Sequence, residues 1–466
     1  MKNVHFIGIG GVGMSATALL LRERGMRITG SDSGVYPPVS DLLTREKIVW
    51  NPSYSAKNIP TDTDTIVIGK NAKLVPETNE EVRHALTLGI PVLSFPEILA
   101  ELSKDKENIV IAGSYGKSTS SALMTHVLED AGIDPSYFIG AIPLTPSRAS
   151  HDGTGPLFII EGDEYPASHT DQRSKFLHYH PSHLLITPLA HDHFNVFPTV
   201  RDYLQPFREL VALLPQGGAL LVCEDGELSP QFLESLEREA ITYGLQSGSW
   251  HARDIAWGDS TSFTLVHEGI PIVAIETTLL GEHNLQNIVG VGAFLLTRKI
   301  LSPEKFAAGV KSFKGIRRRL DLKSEKTSVK IYEGFGSSYE KAVSAIAAMR
   351  LHFGAHKLIV VFEPDTINWR RPEALSQYND VFSGASRVYI IQPPQDGKGM
   401  PISIEEMAMR AKTTVEEVIP CSSAEVCIAD LEKNLEKNDV ILLLSSGAMS
   451  GLIDAIPERA EATFPA

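Results

Sequence analysis

Cysteine is scarce in this 466-residue chain: Cys223, Cys421 and Cys427 are the only three, and none forms a CxxC pair. A disulfide framework and a cysteine-built zinc site are thereby excluded, and a reducing cytoplasm is the expected setting. Positive charge is also short, with 43 Lys and Arg against 57 Asp and Glu and a formal net charge of −14. That balance argues against a nucleic-acid partner and against an anionic membrane surface, so any anionic ligand must be held by local groups. No apolar run reaches the roughly 20 residues of a membrane span. The apolar N-terminus is broken by Gly8, Gly10, Gly11 and Gly13, unlike a signal peptide, so a soluble, unexported protein is expected. Internal repeats and low-complexity tracts are missing as well. With 43% apolar and 21% charged residues the composition is that of a globular protein. The chain exceeds the roughly 250 to 300 residues at which one core stops growing, which predicts two or three domains.

The segment from Val4 to Asp32 reads as strand, glycine turn, helix and strand, one βαβ unit. Gly8, Gly10 and Gly13 supply G-x-G-x-x-G, and Asp32 ends the second strand where a ribose-binding acid is expected. The helix N-terminus behind such a turn presents N–H groups to a pyrophosphate. A tight turn without a ligand is the alternative. Further strands are expected at 65–69 and 90–94.

A charged segment, LSKDKEN at 102–108, breaks this pattern, and a new strand leads into IAGSYGKSTS at 111–120. A full Walker loop has glycine where this chain has Ile111. The strand–loop–helix context is otherwise that of a phosphate loop: backbone N–H groups from Gly113 to Ser118 surround oxygens, Lys117 adds charge, and Ser118 offers a hydroxyl to Mg²⁺. Glu161 ends the apolar strand PLFIIE, where open α/β sheets bind ligands. Asp163 and Glu164 read as solvated strand-end acids. His193 in AHDHF is a candidate second metal ligand or plain surface. Asn284 and Asn287 share a helix face and suit an adenine edge, with N-capping by Asn284 as the competing reading. Arg317, Arg318 and Arg319 form a basic cluster that could face a transferring phosphoryl group. After residue 322, strands and helices alternate again, predicting a third α/β unit with a mainly parallel sheet.

Together these residues resemble the ATP-dependent muramyl (Mur) ligases of bacterial cell-wall synthesis. The similarity runs through the N-terminal glycine turn, GSYGKST, the acidic strand end, Asp192–His193, the G-x-H-N-x-x-N motif at 281–287, and Arg318–Arg319. This family's loop also lacks the first Walker glycine. The resemblance implies three α/β domains in series: a Rossmann-like UDP-sugar domain at 1–105, a central P-loop-type ATP-binding domain at 106–321 and a Rossmann-like amine-acceptor domain at 322–466. It places the UDP-sugar, rather than NAD, at Gly10, Gly11, Val12, Gly13, Ser31, Asp32 and Asn71. ATP is expected at Gly113, Ser114, Tyr115, Gly116, Lys117, Ser118, Thr119, His283, Asn284 and Asn287, and Mg²⁺ at Ser118, Glu161 and His193. Lys117 and Arg319 take the catalytic roles.

Residues 30–40, 161–181 and 362–364 look like the branch that joins the lactyl carboxylate of UDP-N-acetylmuramate to L-alanyl-γ-D-glutamyl-meso-diaminopimelate in peptidoglycan recycling. The alternatives are the L-alanine-adding branch and a nucleotide-binding member with lost or altered ligase activity. The last is kept open by departures from the family pattern. No lysine occurs between Lys175 and Lys299, Gly334 replaces an acid, Ser337 and Ser338 replace two histidines, and Asp365 stands where arginine is usual. An NAD-dependent oxidoreductase would leave GSYGKST unexplained.

Overall fold

The computed structural model describes residues 1–36, 39–393 and 401–466. Pro37 and Pro38 of the 30–40 stretch lie outside the described residues. The chain forms two compact units, one of residues 1–253, 264–275 and 286–313, the other of residues 254–263, 276–285 and 314–466. Three sheets follow one another along the sequence. Among the described residues, no helix is long and apolar enough to cross a membrane.

The first sheet has the order Val49–Asn51, Arg27–Ser31, Asn3–Ile7, Thr65–Ile68, Val92–Ser94. Every pair in it is parallel. Its middle strand has apolar residues on both faces: Val4 and Phe6 join one core cluster and Ile7 another. That double burial explains why VHFI reads as a continuous apolar run. The helix Val12–Glu23 lays Met14, Ala16, Ala18 and Leu19 to Leu21 into the interior.

The second sheet has ten strands. Its central strand, Glu107–Ala112, lies parallel to His183–Ile186 on one side and to Leu157–Glu161 on the other. Ile111 is level with both Leu185 and Glu161 and is fully buried. The position of the missing Walker glycine is therefore an interior strand position, and the loop begins after it. The register also fixes Glu161 beside the loop. One core cluster runs from Val4 and Leu20 through Leu99 and Phe138 to Tyr203 and Phe232, so the first two sheets share an interior.

The third sheet has the order Arg319–Leu322, Lys330–Gly334, Val440–Leu444, Leu358–Phe362, Arg387–Ile391, Glu417–Cys421. Only its first pair is antiparallel. Clusters around Phe362 and Met407 on one face and around Leu443 and Ile456 on the other bury it twice. Helices Val200–Ala212, Ser229–Glu234 and Pro303–Ser312 were not foreseen, and the helix expected near Asn284 begins at Glu282.

Candidate functional site

The loop after Glu107–Ala112 is shaped by two glycines. Gly113 and Gly116 have φ of 141° and 86°. A Cβ on Gly113 would lie 2.7 Å from the Thr187 carbonyl oxygen, and one on Gly116 would run into the Asn287 side chain. A side chain at either position would therefore push the loop off Thr187 or Asn287. Ser114 pins the loop from below: its N–H donates to Pro188 O at 3.0 Å, and its hydroxyl donates to Ala190 O at 2.8 Å and meets Tyr203 Oη at 2.6 Å. Tyr115 stands exposed at the tip. The helix Lys117–Asp130 starts directly behind, with Thr119 nearly buried in its first turn. Such a start aims unbonded N–H groups and the positive helix end at an anion.

The strand-end acids divide their work. Glu161 Oε1 accepts from the Ser118 hydroxyl at 2.8 Å and Oε2 from the Gly140 N–H at 2.6 Å. Desolvation among protein atoms pushes its pKa up, against the pull of these hydrogen bonds and of Lys117. A hydroxyl and a carboxylate so joined make a pair of hard oxygen donors, which fits Mg²⁺. Among the described residues no group of three or more His, Cys, Asp or Glu side chains lies together as a metal site.

Glu164 is not the solvated acid that its position predicts, whereas the Asp163 side chain keeps 39% of its surface exposed. Glu164 is buried, and it meets Lys117 Nζ at 2.9 Å with one oxygen and His193 Nε2 at 3.1 Å with the other. Lys117 also donates to the Gly113 carbonyl. Asp163 pairs with Lys175 Nζ at 2.5 Å. Burial raises the Asp163 pKa, but Lys175 and the Tyr165 N–H outweigh it and the net shift is down. His193 has both ring nitrogens engaged, Nε2 by Glu164 and Nδ1 by Tyr165 Oη at 2.9 Å. Its hydrogen bond to Glu164 holds its pKa above the usual histidine value. A metal on His193 would have to displace one of these partners.

Asn287 closes the loop from the side, its Oδ1 accepting from the Ser120 hydroxyl at 3.2 Å. Asn284 lies inside its helix, so the capping alternative falls. Its Nδ2 donates to Leu280 O at 2.8 Å. His283 is exposed one residue earlier.

At the N-terminal turn, Gly8 takes φ 88° and donates to Ser31 O at 2.8 Å. Asp32 accepts from Gly10 N at 2.9 Å, Gly34 N at 3.0 Å and Tyr54 Oη at 3.2 Å, so it fastens the turn. Ser31 is a correction: it is fully buried and its hydroxyl donates to Glu81 at 2.7 Å, supporting the turn from behind instead of facing a ligand. Gly11 and Val12 are exposed at the helix start, and Gly13 backs onto the Phe95 ring. Asn71 is exposed, with its carbonyl accepting from His169 Nε2 at 2.8 Å.

In the second unit, Arg318 lies 3.1 Å from Glu333 Oε1 and donates to Gly447 O at 2.7 Å. Glu333 turns inward, is nearly buried and also holds Lys323 at 2.7 Å. Arg319 is exposed in the strand position opposite Gly334. Ser337 accepts from Lys341 Nζ at 3.0 Å, and Asp365 accepts from the Ser446 hydroxyl at 2.8 Å. Glu164, Lys175 and Tyr203 are the site residues that sequence spacing missed. Glu164 was visible as an acid, but nothing in the sequence told that it turns inward.

A βαβ glycine turn followed by a glycine-shaped phosphate loop with an acid on the adjacent strand is the arrangement that two family descriptions match. Residues 3–107 match the Mur ligase family, catalytic domain, and residues 111–295 the Mur ligase middle domain. The chain belongs to the Mur ligase family. It is 29% identical over 467 residues to the UDP-N-acetylmuramate–L-alanyl-γ-D-glutamyl-meso-2,6-diaminoheptandioate ligase of Escherichia coli K12, covering 98% of this chain and 99% of that one. To the UDP-N-acetylmuramate–L-alanine ligase of Arthrobacter sp. FB24 it is 30% identical, over 84% of this chain and 81% of that one. Among solved structures, the UDP-N-acetylmuramate:L-alanyl-γ-D-glutamyl-meso-diaminopimelate ligase of Neisseria meningitides superposes with a TM-score of 0.61 at 28% identity, over 68% of this chain and all of that one. The two matched segments of this chain span the glycine turn, the phosphate loop, Glu161, His193 and Asn287.

Proposed function

We propose that the protein is an ATP-dependent ligase that joins the lactyl carboxylate of UDP-N-acetylmuramate to the amine of L-alanyl-γ-D-glutamyl-meso-diaminopimelate, as in peptidoglycan recycling. The observation that carries this reading is the phosphate loop with Ser118 hydrogen-bonded to Glu161 and Lys117 held over it by Glu164. The choice of acceptor rests on the likeness to the Escherichia coli ligase over nearly the whole chain.

A carboxylate is a poor electrophile, so it must first gain a leaving group. One carboxylate oxygen attacks the γ-phosphorus of ATP, ADP departs, and an acyl phosphate results. The free amine then attacks the acyl carbon, the phosphate leaves, and the amine loses a proton. Gly113 to Thr119 would cradle the ATP phosphates, with His283, Asn284 and Asn287 on the nucleotide. Lys117 and Arg319 would offset charge on the transferring group, which is most of what phosphoryl transfer asks of a protein. Mg²⁺, held by Ser118 and Glu161, would neutralise phosphate charge. Gly10 to Gly13 would take the UDP pyrophosphate and residues 322–466 the acceptor. Glu333, buried against Arg318 and Lys323, preserves a carboxylate beside the arginine pair and favours an active ligase over an inactive relative.

Mixing the protein with ATP, Mg²⁺, UDP-N-acetylmuramate and either tripeptide or L-alanine tests the reading. UDP-muramyl-tripeptide, ADP and phosphate are expected. Product with L-alanine alone would move the protein to the L-alanine branch, and nucleotide binding without any product would favour the inactive relative.

A further inference from the structure

The stretch RSKF at 173–176 is built into the site. The backbone of Lys175 donates to Tyr165 O at 2.9 Å, Ala167 N donates to Arg173 O at 2.9 Å, and Phe176 is fully buried in the shared core. The segment therefore folds back onto EGDEY as a pinned return and not as a loose surface loop.

That return sets the Lys175 side chain between the two nucleotide-binding loops. Its ammonium meets Asp163, two residues beyond Glu161 and one before Glu164. It also lies 6.0 Å from the centre of the Phe95 ring, which packs on Gly13 of the N-terminal glycine turn, where a Cβ would approach the ring to 3.3 Å. Lys70, just past the carboxyl end of the strand Thr65–Ile68, reaches into the same place and donates to Pro166 O at 3.2 Å. It meets no carboxylate among the described residues. Partial desolvation lowers the Lys70 pKa and the Lys175 charge lowers it further, against the pull of Asp163. The carboxyl ends of two sheets thus meet at two lysines, Lys175 held by the Asp163 carboxylate and Lys70 by the Pro166 carbonyl.

Given the ligase reading above, on which this step rests, the reacting carboxylate must lie between the UDP pyrophosphate at the glycine turn and the γ-phosphoryl group at the phosphate loop. We propose that Lys175, oriented by Asp163 and seconded by Lys70, binds the carboxylate of the sugar nucleotide and holds it for attack. An ammonium carries three donors, and Asp163 occupies one, which leaves two for an incoming carboxylate. The side chain is 19% exposed, enough to be reached yet shielded from bulk water. Two anions must approach one another in this reaction. A cation on the carboxylate side lowers that repulsion, while Lys117, on the phosphate side, is engaged by Glu164.

The test compares binding of UDP-N-acetylmuramate with that of UDP-N-acetylglucosamine, the same sugar nucleotide without the lactyl carboxylate, by calorimetric titration of the full chain. The unaltered protein is expected to prefer the muramate. Lys175→Met is expected to cut that preference roughly tenfold, the scale of one charge-assisted hydrogen bond, while leaving the glucosamine affinity in place. A merely structural lysine would weaken both ligands alike. An unchanged preference in Lys175→Met overturns the proposal. Should that variant fail to fold, Lys70→Gln, at an exposed position, decides by the same ratio: a reduced preference supports the paired-lysine site and an unchanged one overturns it. If the unaltered chain binds neither sugar nucleotide, the ligase reading itself falls.

Discussion

Glu164 couples two side chains of the site, since the same buried carboxylate touches Lys117 and His193. Glu164→Gln removes a charge that both cations face, so Lys117 should lose its fixed direction over the loop. ATPase-coupled ligation is expected to fall by at least about 100-fold, the scale of a displaced transition-state group, and Lys117→Ala should abolish it. Steady-state product formation measures both. The His193 pair also carries a pH signature. A histidine whose folded pKa is raised above its unfolded value contributes stability that is fully present below the unfolded pKa and lost as pH rises through the folded one. Thermal stability should therefore decline as pH climbs from near 6.5 into the alkaline range, and His193→Asn should flatten that decline in a Tm-against-pH series. Glu161→Gln keeps the hydrogen bond from Ser118 but loses the anionic ligand. The Mg²⁺ concentration needed for half-maximal activity should rise by about tenfold or more. An unchanged Mg²⁺ dependence would place the ion elsewhere.

At the scale of elements, the phosphate loop was legible because its requirements are local. Gly113 and Gly116 sit where L side chains are strained and where a Cβ would strike Thr187 or Asn287. Gly116→Ala is expected to cost about 1–2 kcal/mol from the left-handed backbone alone and to weaken ATP binding, measurable by denaturant unfolding and nucleotide titration. The strands VHFI, NIVIA and LFII were equally legible, since burial on both faces writes a continuous apolar run. What spacing alone could not reveal is where polar side chains turn. Ser31 and Asp32 lie next to each other at a strand end, yet one points to buried Glu81 and the other fastens the turn. Asp163 and Glu164, also adjacent, take Lys175 and Lys117, partners 12 and 47 residues away in sequence. Tertiary contacts decide those directions, and a local motif carries no record of them.

At the scale of the whole molecule, the first two sheets share one interior. The Phe95 and Phe138 rings lie 5.2 Å apart, the buried Ser150 hydroxyl donates to Ala16 O at 2.9 Å, and Arg24 meets Asp152 at 2.8 Å. Residues 314–466, by contrast, contain a six-stranded sheet with apolar clusters on both faces. Removing residues 1–105 would uncover Phe138, Phe176 and their neighbours in the shared cluster, and an exposed apolar patch of that kind drives aggregation. A chain starting at residue 106 should therefore be insoluble or melt without a sharp transition, whereas a 314–466 fragment should unfold cooperatively. In the intact protein, calorimetry should resolve no separate melting of residues 1–105. Saturating UDP-N-acetylmuramate should raise the transition of the first two sheets together, because a ligand of the native state stabilises the whole cooperative unit that binds it. Hydrogen exchange followed by peptide can assign each transition. Protection gained at the glycine turn without protection at 107–112 and 157–161 would mean that the shared core does not couple the two sheets.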